Sequence, residues 1–228
     1  MDLPILKKNR SSSGISDLDL ILEGGYRSPA NILFIGPANM EKTALAYHFA
    51  SAPLEENSYI ICGSASANDI IKKAASFGIN LDKPNIHFID CYSATLGKSV
   101  ESSEKVMIVP GPTALNDISL MLNEAIKQSV NKKMRIVFDT LSTFVLYNQK
   151  DSIRKFLSVI EGRLKTANST TIYLIDDGIH EKQLVSILEH GMDEKYVLSE
   201  KEGKTFLNVP GVDLSIPIKI SPSGLIVV

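Results

Sequence analysis

Apolar residues fall along this chain in short dense runs. Those at 30–36 (ANILFIG), 58–63 (SYIICG), 85–91 (NIHFIDC), 134–139 (MRIVFD) and 170–176 (TTIYLID) are apolar over most of their length and read as strands buried within a sheet. Segments of helical character separate them, at 41–52, 68–78, 114–130, 152–167 and 182–191. In 68–78 the apolar positions are Ile70, Ile71, Ala74 and Phe77, and Gly78 closes the helix. A short amphipathic stretch at 13–25 has Ser16 as its candidate N-cap and stops at Gly24 and Gly25. Beyond residue 191 the character changes, and 195–209, 214–224 and 225–228 read as antiparallel hairpin strands.

Strands alternating with helices imply right-handed crossovers and a parallel sheet covered on both faces. The tail then adds an antiparallel edge to an α/β fold. Neither an internal repeat nor a clear linker interrupts residues 1–228, so a single domain is expected. Within it, residues 1–12 form an N-terminal arm. Residues 92–112, small and polar with one short apolar run, form an exposed loop or an insertion carrying a short strand.

Composition narrows the picture only a little. At 44% hydrophobic and 22% charged, 228 residues can bury a core without disulfides or metals. A net charge of −2 shows no basic excess, so nucleic acid is not the expected partner. No apolar stretch reaches the roughly 18 residues of a membrane span, and the first ten residues do not read as a signal peptide, so a cytoplasmic protein is expected. Cys62 and Cys91 are expected to be reduced and packed, and the four histidines have no metal-ligand spacing.

The candidate chemistry lies in "GPANMEKT", residues 36–43, directly after the first buried run. It approximates G-x-x-x-x-G-K-[ST], the loop whose backbone N–H groups cradle phosphates while its lysine neutralises charge and its hydroxyl holds Mg²⁺. Gly36, Lys42 and Thr43 are in place; Glu41 stands where the second glycine belongs, with Asn39 and Met40 before it. The strand "RIVFD" ends in Asp139 and fits the expected second element, an apolar strand ending in the aspartate that holds the metal. The cofactor-binding candidates are therefore Gly36, Asn39, Met40, Glu41, Lys42, Thr43 and Asp139, with Thr43 and Asp139 as metal ligands only if Mg-nucleotide binds. The plainer reading is a helix start with Thr43 bonded to the backbone, and Asp139 satisfied by nearby N–H groups or by Lys42.

"SGISDLDLILEGG", the loop, "NDIIKKAASFGINLDKPNIHFID", "RIVFDTLSTF" and "LKTANSTTIYLIDD" together resemble the KaiC and RadA-like branch of the RecA superfamily of P-loop ATPases, from about residue 13 onward. That resemblance implies a RecA-like three-layer sandwich, mainly parallel and twisted, with archaeal KaiC-like proteins as the expected nearest kin. It also exposes three departures. Glu41 puts a Cβ and a negative charge where phosphate should approach; at ~4 Å and an effective dielectric of ~20 each unit-charge pair costs roughly 4 kcal/mol. The family's adjacent glutamates, one of which activates water, align with Ser64 and Ala65, and neither is a general base. The family's Lys-x-Arg-Gly-like stretch, which reaches a neighbouring subunit's phosphate, aligns with "LNVPG" at 207–211, which has no cation.

No residue is therefore assigned a catalytic role. The expected function is that of a degenerate P-loop domain without effective hydrolysis, acting in regulation or signalling through an unknown protein partner, with homo-oligomers open. It requires no cofactor, and ATP with Mg²⁺ would bind weakly. The alternatives are a weak or slow ATPase and a recombinase paralogue acting with DNA. Asp176 and Asp177 read as a solvated strand end, and Lys132, Lys133 and Arg135 as a solvated turn. Ser142 and Thr143 lack a G-x-S-x-G elbow, and Tyr92, Phe144 and Tyr147 do not interleave with basic residues as a single-strand binder requires.

Overall fold

Strand β1 (Arg10–Ser11) is followed by helix α1 (Ser16–Ile21) and by β2 (Tyr26–Arg27), which returns to pair antiparallel with β1. The computed structural model describes residues 9–51, 53–97, 101–211 and 213–228. Of the expected N-terminal arm, residues 1–8 lie outside the described residues, as do residues 98–100 of the 92–112 segment. Ser16 does not cap α1. The helix starts on it, Ile15 is the N-cap without a side-chain bond, and the Asp19 carboxylate instead folds back to accept from the Ser13 N–H and the Ser12 hydroxyl.

The chain then alternates. β3 (Ala30–Gly36), α2 (Met40–Ala50), β4 (Asn57–Cys62), α3 (Ala67–Ser76), β5 (Ile86–Asp90), β6 (Val106–Ile108), α4 (Leu115–Gln128) and β7 (Met134–Asp139) are followed by α5 (Leu141–Tyr147), α6 (Lys150–Thr166), β8 (Ser169–Asp176) and α7 (Lys182–Glu189). Four strands finish the chain: β9 (Glu194–Lys201), β10 (Lys204–Asn208), β11 (Ser215–Ser221) and β12 (Gly224–Val227). The ten strands from β3 onward form one sheet in the order β12-β11-β10-β9-β3-β8-β7-β4-β5-β6. From β9 to β6 every neighbouring pair is parallel; β9 to β12 pair antiparallel. β9 is thus the hinge between the two regimes, parallel to β3 on one side and antiparallel to β10 on the other. The short apolar run inside 92–112 is β6, paired in parallel with β5.

The sheet divides two cores. On one face α1, α2 and α3 contribute Leu18, Leu45, Phe49 and Ile70 to a cluster with Ile32, Phe34 and Ile60. On the other, α4 to α7 contribute Leu122, Phe144, Leu157 and Leu184 to a cluster with Leu33, Ile61 and Phe138. Successive strand residues feed opposite clusters, as the pleat demands. Cys62 and Cys91 are both free and buried, and they fall in opposite clusters. The helix α5 was not expected from sequence, because only one residue, Thr140, separates it from β7.

Helix α2 is buried on nearly every side, with Lys42–Tyr47, Phe49 and Ala50 all inside. Its last turn is covered by the β11–β12 hairpin. His48 Nε2 accepts the Leu225 N–H at 2.8 Å, and Gly224 (φ +111°) lies so close that a Cβ there would meet the His48 ring at 2.6 Å.

Candidate functional site

The carboxyl ends of the parallel strands place Gly36 (β3), Asp176 (β8) and Asp139 (β7) on one rim, where open α/β sheets hold ligands. The β3–β8 register sets Gly36 directly opposite Asp176. Helix α2 starts immediately above, so its first turn and the end of β8 share a small volume.

Only Pro37, Ala38 and Asn39 separate β3 from α2. The helix starts at Met40, one residue before the expected helical segment, so Met40 and Glu41 belong to its first turn. Part of the loop's amide set is absent or has other partners. Pro37 has no N–H, Asn39 returns its N–H to Pro37 O at 2.8 Å, and the Lys42 N–H is capped by Asn39 Oδ1 at 3.1 Å. Asn39 Nδ2 also donates to Glu200 Oε1 at 3.1 Å, tying the cap to β9. Gly36 has a structural reason to be glycine, since a Cβ there would meet Leu198 Cβ of β9 at 2.6 Å. Met40 is exposed, and Glu41 is half-buried with no ion pair or hydrogen bond among the described residues.

Lys42 is 1% exposed. Its ammonium donates to Gly36 O at 2.9 Å, Ile175 O at 2.7 Å and Asp176 Oδ1 at 2.6 Å. An ammonium has three N–H groups, so these acceptors saturate it. Desolvation pulls the Lys42 pKa below the usual lysine range, and the bond and charge of Asp176 oppose that pull. Asp176 is therefore not a solvated strand end. β-Sheet register brings it under the helix start, and a buried cation recruits it. Its backbone N–H donates to Ser142 Oγ at 2.8 Å, and Ser142 Oγ lies 2.8 Å from His180 Nε2. Asp177 is exposed, while its N–H donates to Gly36 O at 2.8 Å.

Thr43 Oγ1 turns back to Asn39 O at 3.4 Å. Asp139 is buried, and its Oδ2 accepts the Tyr47 hydroxyl at 2.6 Å. Burial raises the Asp139 pKa; the Tyr47 bond and the charge of Lys73 lower it. The two groups expected to share a metal thus have separate internal partners. In this arrangement the three Lys42 donors have internal acceptors and the Asp139 carboxylate is bonded to a phenol. Among the described residues no group of three or more His, Cys, Asp or Glu is placed to hold a metal ion.

Ser64 is exposed and Ala65 half-buried, in the turn between β4 and the Ser66 cap of α3. At 207–211, Leu207 is buried and ends β10 with Asn208, and Val209, Pro210 and Gly211 lead away from it. Tyr92, Phe144 and Tyr147 do not form a shared platform. Phe144 is in the core, edge-on to Phe138 at 6.0 Å, whereas Tyr147 is exposed. Thr143 is half-buried. Arg135 departs furthest from its expected place in a solvated turn. It is 2% exposed, bonds Glu56 at 2.5 Å, Ser12 O at 2.8 Å and Phe49 O at 2.9 Å, and stacks over Phe49. That leaves Lys132 and Lys133 as the only exposed or half-exposed cations of the cluster, and Lys132 lies 3.5 Å from Asn57 Oδ1.

Sequence reasoning missed Tyr47, Ser142 and His180 as members of this rim, and Asp90. The last ends β5 and accepts from the Ala67, Tyr92 and Ser93 N–H groups and the Ser93 hydroxyl.

A mainly parallel sheet flanked by helices, with a strand–loop–helix at its carboxyl rim and an antiparallel C-terminal edge, defines a RecA-like P-loop fold. The chain belongs to the KaiC family of ATPases, whose family model matches residues 11–208. A KaiC-like protein from the hyperthermophilic archaeon Pyrococcus horikoshii OT3 has a similar structure, with a TM-score of 0.72 over 96% of this chain and 98% of that one. The two are 22% identical, so the likeness is one of fold. A comparison with curated proteins returns no match.

Proposed function

We propose that this chain is a KaiC-like P-loop domain without effective ATP hydrolysis, acting in the cytoplasm as a regulatory or signalling module through a protein partner. The observation that supports this reading most directly is Lys42, whose three N–H groups are all spent on internal acceptors. The chemistry of Ser64 and Ala65 supports it too: neither side chain can take a proton from water at neutral pH. A domain in this condition keeps its fold and works through its surface. No cofactor is required in this reading, and Mg-ATP binds weakly.

Titration of the purified chain with Mg-ATP by calorimetry, together with a phosphate-release assay, tests the proposal. The expected result is binding weaker than about 0.1 mM and no phosphate release above a heat-denatured control. Micromolar binding with sustained release would replace this reading with that of a slow ATPase, an alternative that the retained order of β3, Lys42, Thr43 and Asp139 keeps in view.

A further inference from the structure

We infer that the Asp176 carboxylate is an internal lock on the cleft, seated on the Lys42 ammonium where an oxyanion would dock and carried on a backbone that Ser142 holds in place. This rests on the reading above and names what keeps the site closed. Two of the three acceptors on Lys42, Gly36 O and Ile175 O, are main-chain carbonyls fixed by the β3–β8 ladder. Asp176 is the one side chain among them and is 17% exposed, against 1% for Lys42. It is the acceptor that can leave.

The backbone beneath it is pinned on both sides of the same peptide run. The Asp176 N–H is held by the buried Ser142 Oγ, itself 2.8 Å from His180 Nε2, and the Asp177 N–H is held by Gly36 O. Opening therefore means rotation of the Asp176 side chain, not movement of the strand. The charge pattern favours the closed form. Asp176 sits on the Lys42 ammonium and Asp177 follows it in the chain, so an arriving polyphosphate meets a carboxylate on the cation it would need. Glu41 stands outside this arrangement, half-exposed and without a bond to Lys42. Its charge is screened by solvent in a way that of Asp176 is not.

The test uses inorganic tripolyphosphate as probe, by calorimetry, on the whole chain and on four variants. Asp176→Asn and Asp176→Ala are expected to bind it at least about tenfold more tightly than the wild type. Asp177→Asn removes the same charge one residue away without touching Lys42 and is expected to gain less than about threefold. Adding Lys42→Met to Asp176→Asn is expected to abolish the gain, and this double variant also removes the uncompensated buried cation, so folding is retained where Asp176→Ala fails. Equal affinity of the wild type and Asp176→Asn overturns the lock. So does an equal gain in Asp177→Asn, or a gain that survives the loss of Lys42. None of the variants is expected to release phosphate from Mg-ATP. Release by the wild type would instead overturn the non-hydrolysing reading, which the tripolyphosphate affinities do not address.

Discussion

Replacing Tyr47 by Phe removes one oxygen from the centre of the candidate site and nothing else. In the wild type that oxygen donates to Asp139 Oδ2 at 2.6 Å, and both residues are buried. A hydrogen bond to a charged acceptor contributes roughly 1.5–3 kcal/mol, and a buried carboxylate stripped of its donor bears the whole of that loss. The expected destabilisation is about 2 kcal/mol, or about 4–8 °C in Tm for a chain of this length. The pH dependence makes the test sharper. Burial already lifts the Asp139 pKa in the folded state, and the Tyr47 bond opposes the lift. A raised folded pKa means that the native state keeps a proton the unfolded state releases, so stability falls as pH rises through that window. Removing the hydroxyl widens the window upward. The loss in Tyr47→Phe should therefore be larger towards high pH, at pH 8 rather than pH 5, because only the charged carboxylate needs the donor. Urea denaturation at the two pH values measures both. A loss below about 0.5 kcal/mol at pH 8, or one larger at pH 5, would refute the assignment of Tyr47 as the group that satisfies Asp139.

Three further outcomes are expected. Arg135→Met leaves Glu56 without its cation and two main-chain carbonyls without a donor; it should cost about 3–5 kcal/mol in urea denaturation, and Arg135→Lys should recover only part of this. His48 must be neutral to accept the Leu225 N–H, and burial holds its pKa below 6.5. Its contribution is complete above pH 6.5 and is lost as the pH falls below it, so the drop in Tm between pH 7.5 and 5.5 should be smaller in His48→Gln. His87 and His180 slope the same way and keep that drop from vanishing. Burial, helped by Asp193, raises the Glu161 pKa from 4.5 to about 7, so the wild type loses stability as pH rises through that interval. Glu161→Gln should gain about 1 kcal/mol at pH 8 relative to pH 5 after allowance for solvent screening, and equal Tm differences at both would contradict it.

The five buried runs predicted five parallel strands, because a strand covered on both faces must be apolar on both and so announces itself in composition. The tail's change to alternating and turn-rich sequence announced the antiparallel edge in the same way. Spacing alone marked the strand–loop–helix at Gly36–Thr43 and the carboxylate ending β7, and the absence of acids at 64–65 and of cations at 207–211 is a fact of sequence. What each polar group pairs with is not. Asp176 reaches Lys42 across 134 residues of chain, and Tyr47 reaches Asp139 across 92. Local patterns hold no record of such partners, because a carboxylate at a strand end looks identical whether it meets water or a buried ammonium. Arg135 stands beside two lysines in sequence, and strand β7 carries it inward while the turn keeps the lysines out. The alternation of hydrophobic and polar residues determined which segments became strands and helices. The order in which the sheet assembled them determined that the end of β8 lies beneath the first turn of α2, and a desolvated cation cannot remain there without a counter-charge.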